Sequence, residues 1–414
     1  MGTLNKKFSI IVALVIFMSI NLHSTDEQLF SKTKSFDKYG GYLNIKKKAK
    51  GYFYLDQYKG KSFLITPEGY AFLNIGLTHT MNVSSKQDSK VDYLEHHCSG
   101  SMDCANNEIF KNFNDWGFNS LNYDHDSSTR VRIPFMASSY PTGKVSYWRG
   151  KGVEFPDVFS SEWKKQSTAI LERMKRNYGK NSFMVGIYWS DMPSWDLKDT
   201  KKVAGRTWVD AIRSLPEGSA GKREYEKYLK NRGDAANDQE FLVMIAREVY
   251  SHIGPITRKL YPNSLIFGER YAGRSLVYDV IKEALPYIDV ISVQPSEEHF
   301  NHAKFEQLYK EMKKPIIICD HAVSFKTKDF KKIMWKTVEN EEIASQSHLS
   351  YLEAMKLPFM IGYNRCQYID RFKNNKGGGT LKQGLIRDDG TPYEEMVNKL
   401  KGLNWQNHQY FLKQ

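Results

Sequence analysis

Eight short apolar runs, separated by segments of helical periodicity, constrain this sequence more than any other feature. They are AFLNIG (71–76), FNSLNY (118–123), RIPFMA (132–137), FMVGIYWSD (183–191), SLIFGERY (264–271), IDVISVQP (288–295), PIIICDHAV (315–323) and PFMIGYNRCQY (358–368). Most are apolar throughout rather than alternating, as a parallel strand covered on both faces requires. Eight such strands with helices between them predict an α/β chain closed into a (β/α)8 TIM barrel. The 414 residues suffice for one barrel with decorations. Ahead of the first run, YFYLDQYKGKSFLITPEGY (52–70) reads as short strands turning at Lys59-Gly60 and Pro67-Glu68-Gly69, a short N-terminal β-hairpin extension. The expected division is a leader over 1–25, the extension over 26–70, the barrel over 71–400 and a tail over 401–414.

The leader expectation rests on the opening MGTLNKKFSIIVALVIFMSINLHST, where Lys6 and Lys7 precede an apolar run from Phe8 to Ile20. That layout matches a secretory signal, and the run is short for a bilayer-spanning helix of about 20 residues. A secreted or periplasmic product without stable membrane insertion follows, with an uncleaved anchor as the alternative. Composition supports a folded body: 41% hydrophobic and 26% charged residues exclude disordered, collagen-like and coiled-coil chains. The net charge of +13, or +11 once Lys6 and Lys7 leave with the leader, points to an anionic partner. Lys and Arg are scattered and no nucleic-acid motif is visible, so nucleic acid is not the expected partner.

Cys98 and Cys104 stand in a polar loop, HHCSGSMDCANN, and export makes a local disulfide the expected pairing. A zinc site with His96 and His97 is the weaker alternative. Cys319 and Cys366 lie in strand-like runs and read as buried small hydrophobes. The sequence has no P-loop, dinucleotide fingerprint, HExxH helix or Gly-x-Ser-x-Gly elbow, and no cofactor or metal is expected.

A barrel carries its chemistry at the C-terminal ends of its strands, and nearly every run here ends in polar or ionisable residues. Three carboxyls stand out: Asp191 closing strand four, Asp320 closing strand seven, and Glu269 in strand five. Glycoside hydrolysis needs two carboxyls on opposite sides of the scissile bond, and strands four and seven lie nearly opposite in a barrel. Asp191 and Asp320 are therefore the expected catalytic pair. Glu269, beside Arg270, is expected to hold substrate as a charge-paired group, with catalysis as its alternative role. Trp189, Trp195 and Tyr271 are candidate stacking surfaces for sugar rings. His79, Asn122, Gln294, His321 and Asn364 suit sugar hydroxyls. Arg270 and Arg365, with Arg274 and Arg371, suit sulfate or carboxylate groups held in a bidentate fashion.

Several stretches together resemble a known group: KGKSFLITPEGYAFLNIGL, NDWGFNSL, FPDVFSSEW, GIYWSDMPSW and PIIICDHAV. Over about residues 50–400 the chain is similar to the agarase-like branch of the clan A glycoside hydrolases. The resemblance implies a (β/α)8 barrel, retaining hydrolysis of a red-algal type galactan (agar-, porphyran- or carrageenan-like), an acid/base ending strand four and a nucleophile ending strand seven. Those positions fall on Asp191 and Asp320. The clan carries Asn-Glu at strand four and Glu at strand seven, where this chain has Ser190-Asp191 and Asp320. Each exchange shortens a side chain by one methylene. The wider gap leaves open whether the carboxyls stand about 5–5.5 Å apart for retention or about 6.5–9.5 Å apart for inversion. A carbohydrate-binding barrel without catalysis is the alternative function.

Overall fold

The computed structural model describes residues 28–86, 89–328, 333–373 and 380–414. The expected leader lies outside them. The chain first lays down an antiparallel sheet of β1 (Tyr42–Lys46), β2 (Tyr54–Tyr58), β3 (Lys61–Ile65) and β4 (Tyr70–Phe72), in the order β1-β4-β3-β2. It then closes a parallel eight-stranded barrel from β5 (Asn74–Leu77), β6 (Ser120–Leu121), β7 (Phe135–Ser138), β8 (Met184–Asp191), β9 (Leu265–Ala272), β10 (Ile291–Gln294), β11 (Ile316–His321) and β14 (Met360–Arg365). Two short pairs complete the sheets: β12 (Val323–Phe325) with β13 (Lys336–Val338), and β15 (Arg371–Lys373) with β16 (Thr380–Lys382). Each of the eight apolar runs supplies one barrel strand, and the chain is a (β/α)8 TIM barrel.

Two hydrophobic clusters explain why the strands read as apolar throughout. One fills the barrel, with Met136, Val185, Tyr188, Phe267, Ile317, Cys319 and Ile361 pointing inward. The other lies between strands and helices and takes the alternate residues, among them Ile187, Trp189, Ile266, Ile318 and Tyr363. A Cβ on Gly186 would come within 2.2 Å of the Phe267 ring, so the interior packs only around a residue without a side chain there. Tyr39, Phe53, Leu64 and Phe72 from the N-terminal segment join the inner cluster. The small sheet therefore seals the bottom of the barrel, opposite the C-terminal ends of its strands.

The expected hairpin is present as β2 and β3, turning at Lys59-Gly60, and β1 and β4 widen it into a four-stranded sheet. Two boundaries differ from expectation. The run AFLNIG is divided at Leu73, with β4 pairing into the lower sheet and β5 into the barrel. Residues 401–414 are not a tail, because one helix runs from Glu394 to Leu412. Its buried polar residues bond neighbouring elements: Asn404 donates to the Trp116 carbonyl at 2.9 Å, and His408 bonds Tyr42 at 3.1 Å. Buried polar groups with partners are stable inside a fold, and their polarity gives a misleading exposed signature. Cys98 and Cys104 form a disulfide with a Cα separation of 5.5 Å, while Cys319 and Cys366 are buried thiols. None of the described helices is long and apolar enough to cross a membrane.

Candidate active site

A cleft of about 1130 Å³ opens over the C-terminal ends of the strands. Asp191 is the last residue of β8 and Asp320 the next to last of β11, and both face this cleft. One chain of contacts connects them. The Tyr123 hydroxyl donates to Asp320 Oδ2, the Arg270 guanidinium lies 3.6 Å over the Tyr123 ring, and Arg270 Nη2 stands 3.4 Å from Asp191 Oδ1. Arg270 is itself buried and also donates to the Ser190 carbonyl at 3.3 Å. A buried guanidinium of this kind is held by its ion pair and its ring contact together.

The two carboxyls have different surroundings. Asp320 is buried, and Gln294 Nε2 joins Tyr123 as a second donor to Oδ2 at 2.9 Å. Burial pushes its carboxyl above the ordinary aspartate range; His79, Tyr123 and Arg270 oppose that shift, and Asp191 adds to it. Asp191 is partly open, and the indole of Trp148 donates to its Oδ2 at 2.9 Å. Trp148 is 51% exposed and stands at the rim. Across the cleft, His79 is bonded to Asp124 Oδ2 at 2.6 Å.

Backbone strain gathers here. Among the described residues nine non-glycine positions have positive φ, and His79 (57°), Asp124 (58°), Met192 (47°) and Trp335 (70°) line the cleft. Each costs of order 1–3 kcal/mol and persists only where surrounding structure imposes it.

Of the other residues expected in the site, His79 and Gln294 line the cleft, as do Arg274 and Arg371. Arg270 lies between the carboxyls, and the remainder are turned elsewhere. Glu269 is fully buried and makes no ion pair with Arg270; Trp195 Nε1 donates to its Oε2 at 2.6 Å and the Tyr250 hydroxyl donates to the same oxygen. Burial raises its carboxyl to about 7. The cause is register: β8 and β9 pair Tyr188 with Gly268 and then Ser190 with Glu269, so irregularities on both strands turn Glu269 outward and Arg270 inward. Trp189 faces the helix Asp238–Leu260, stacks on Tyr250 and donates to Thr257 at 3.1 Å. Trp195 stacks on Trp208 at 5.0 Å, and Tyr271 packs beside Tyr250.

Asn122 donates to the Cys319 carbonyl, Asn364 to the Ile318 carbonyl at 3.0 Å, and His321 is bonded to Tyr363 at 3.1 Å. Arg365 is wholly buried and holds the carbonyls of Gln367, Gln383 and Gly384. These four residues tie neighbouring strands and loops together and carry no surface for a sugar.

Tyr123, Tyr140, Tyr147, Trp148, Trp335 and Lys382 line the cleft and were not singled out in the sequence. All lie outside the eight barrel strands, in connections whose sequence has no regular apolar period. The signal for Trp148 was its setting, an aromatic residue in the polar loop YPTGKVSYWRGKG that follows β7. Ligand atoms of His79, Asp320 and Cys366 lie within 4.8 Å of one another, the set in the cleft closest to a metal site. Burial raises the Cys366 thiol well above its ordinary value and keeps it protonated, which opposes metal ligation.

No family model matches the chain. Two curated relatives come from Vibrio sp. (strain JT0107). Beta-agarase B is 22% identical over 333 residues, covering 70% of this chain and 35% of that protein. Beta-agarase A is 19% identical over 402 residues, covering 83% of this chain and 40% of that protein. The chain thus spans well under half the length of either. Among solved structures, an exo-beta-agarase superposes with a TM-score of 0.76 at 18% identity, over 91% of this chain and 67% of that one. An agarase superposes with a TM-score of 0.74 at 19% identity, over 90% and 66%. The chain is agarase-like in sequence and shares its fold with these structures.

Proposed function

We propose that this protein is an exported glycoside hydrolase that cuts a red-algal type galactan. The observation that carries this reading is a pair of carboxyls, Asp191 and Asp320, facing one cleft from β8 and β11 and joined beneath it by Arg270 and Tyr123. The similarity to beta-agarases supports the galactan. Asp191, at the rim beside Trp148, gives its proton to the leaving glycosidic oxygen. Asp320, fixed through Oδ2 by Tyr123 and Gln294, attacks the anomeric carbon or draws a proton from water. Trp148 offers a ring face to the sugar next to the acid.

One observation favours exchanged roles. Burial raises the Asp320 carboxyl, as suits a proton donor, while Asp191 makes the ion pair with Arg270. Azide added to Asp191→Ala and Asp320→Ala with an aryl glycoside substrate separates the two readings. The variant lacking the acid/base yields a glycosyl azide of retained configuration, and the variant lacking the nucleophile yields the inverted one. The wider test is the release of reducing ends from agar-, porphyran- and carrageenan-type galactans. Wild type cleaves at least one of them, and Asp191→Asn and Asp320→Asn bind it without turnover. Unchanged function in both variants would return the molecule to a carbohydrate-binding barrel.

A further inference from the structure

The wall of the cleft on the Asp320 side holds a cation that the proposed chemistry does not use. Lys382, the last residue of β16, is half-buried and lines the cleft. Its ammonium lies 5.8 Å from the centre of the Trp335 ring, and it has no carboxylate partner among the described residues. Gln367 donates from Nε2 to the Lys382 carbonyl at 3.1 Å, and its chain neighbour Cys366 has its sulfur within 4.8 Å of an Asp320 carboxyl oxygen, so Lys382 stands on the Asp320 side of the cleft. Three other cations of the cleft are matched by carboxylates, Arg270 by Asp191 at 3.4 Å, Arg274 by Asp199 at 3.1 Å and Lys336 by Glu298 at 3.5 Å, while Arg130 packs its guanidinium over the Tyr178 ring at 4.7 Å. With no carboxylate partner among the described residues, the Lys382 ammonium is available to pair with an anion that enters the cleft.

Trp335 gives the corner a second property. It holds a φ of 70°, a conformation bulky residues rarely adopt, and it lines the cleft beside Lys382. A strained indole beside an unmatched ammonium offers a stacking face for a sugar ring and a charge for a substituent on its edge.

We propose that Trp335 and Lys382 form a subsite for a galactose unit bearing an anionic substituent, a sulfate ester or a carboxylate, next to the bond that is cut. The proposal rests on the hydrolase reading above and deepens it by naming the substituent. An ammonium presents three rotatable donors, which suit the tetrahedral oxygens of a sulfate ester better than a planar carboxylate, so sulfate is the expected form. The overall charge of +13 is of the sign such a polymer requires.

The test measures kcat/KM on three matched galacto-oligosaccharides: sulfated, chemically desulfated, and carboxylated by a uronic acid unit. Wild type is expected to favour the sulfated substrate over the desulfated one by at least about tenfold, the worth of one charge-assisted hydrogen bond. Lys382→Met, with its melting temperature recorded to establish folding, reduces that ratio by about the same factor, and Lys382→Arg restores most of it. A greater preference for the carboxylated substrate would reassign the anion while retaining the subsite. Equal or better cleavage of the desulfated substrate by wild type, or an equal loss on all three substrates in Lys382→Met, overturns the proposal and leaves the hydrolase reading standing. If wild type cleaves none of the three, the hydrolase reading falls, and calorimetry decides the subsite. Tighter binding of the anionic sugars by wild type but not by Lys382→Met supports it, and equal binding overturns it.

Discussion

The ladder of β8 and β9 carries a similar pair of residues on each face, with opposite uses. On the cleft side, the indole of Trp148 donates to Asp191; on the outer side, the indole of Trp195 donates to Glu269. Asp191 and Trp148 are reached by water, whereas Glu269 and Trp195 are buried against Tyr250 and Trp208. Residue type alone therefore does not place a carboxyl at the cleft: which way the strand register turns the side chain does, as Asp191 and Glu269 show.

The sharpest way to break that comparison is to neutralise both carboxyls of the cleft. Asp191→Asn and Asp320→Asn are each expected to lower kcat by about 10²–10⁴-fold, with substrate binding retained by calorimetry. Equal loss in Glu269→Gln would end the distinction between the faces. The tryptophans come next. Trp195→Ala is expected to cost about 3–5 kcal/mol of stability in denaturant unfolding, because it empties a stacked core site. Trp148→Ala is expected to stay within about 0.5 kcal/mol in the same experiment, since its ring is half exposed. Its loss appears instead in kcat/KM, by about tenfold.

Glu269→Gln sharpens the comparison through pH. The native carboxyl keeps its proton up to about 7, and an unfolded one releases it near 4.5. The native state therefore carries the extra proton between these values, and its stability falls as pH rises through the window by as much as about 3 kcal/mol. Thermal melts from pH 4 to 8 should show that slope in wild type and a flatter one in Glu269→Gln. Turnover should change by less than about threefold. The smallest effect is on the acid side of the kcat/KM profile. If Asp320 must be ionised, activity falls with decreasing pH at a value above the ordinary aspartate range, because burial raises that carboxyl.

The same ladder explains what the sequence could and could not disclose. Strands covered on both faces are apolar at every position, so the eight runs and the barrel they form are legible. That uniformity removes the alternation that would tell inward residues from outward ones, and Trp189, Tyr271 and Glu269 were placed in the site by proximity alone. Asp191 and Asp320 were legible because a carboxyl ending an apolar strand has few uses other than at the mouth. Trp148, Trp335 and Lys382 were not, since the connections between barrel strands place them by tertiary contacts that leave no period. The Asn404–His408 segment reads as an exposed tail because Asn404 and His408 are polar, yet both are buried and bonded to the Trp116 and Gly117 carbonyls.

The four left-handed residues around the cleft bear on how this protein can be engineered. Thermal hardening commonly proceeds by removing unfavourable backbone geometry, and glycine at Asp124 or Trp335 would relax it. Those positions also hold the partner of His79 and a ring of the cleft wall. Under the proposed hydrolase reading, gains in endurance sought there come out of turnover, and the sealed lower sheet, remote from the mouth, is the safer place to look for them.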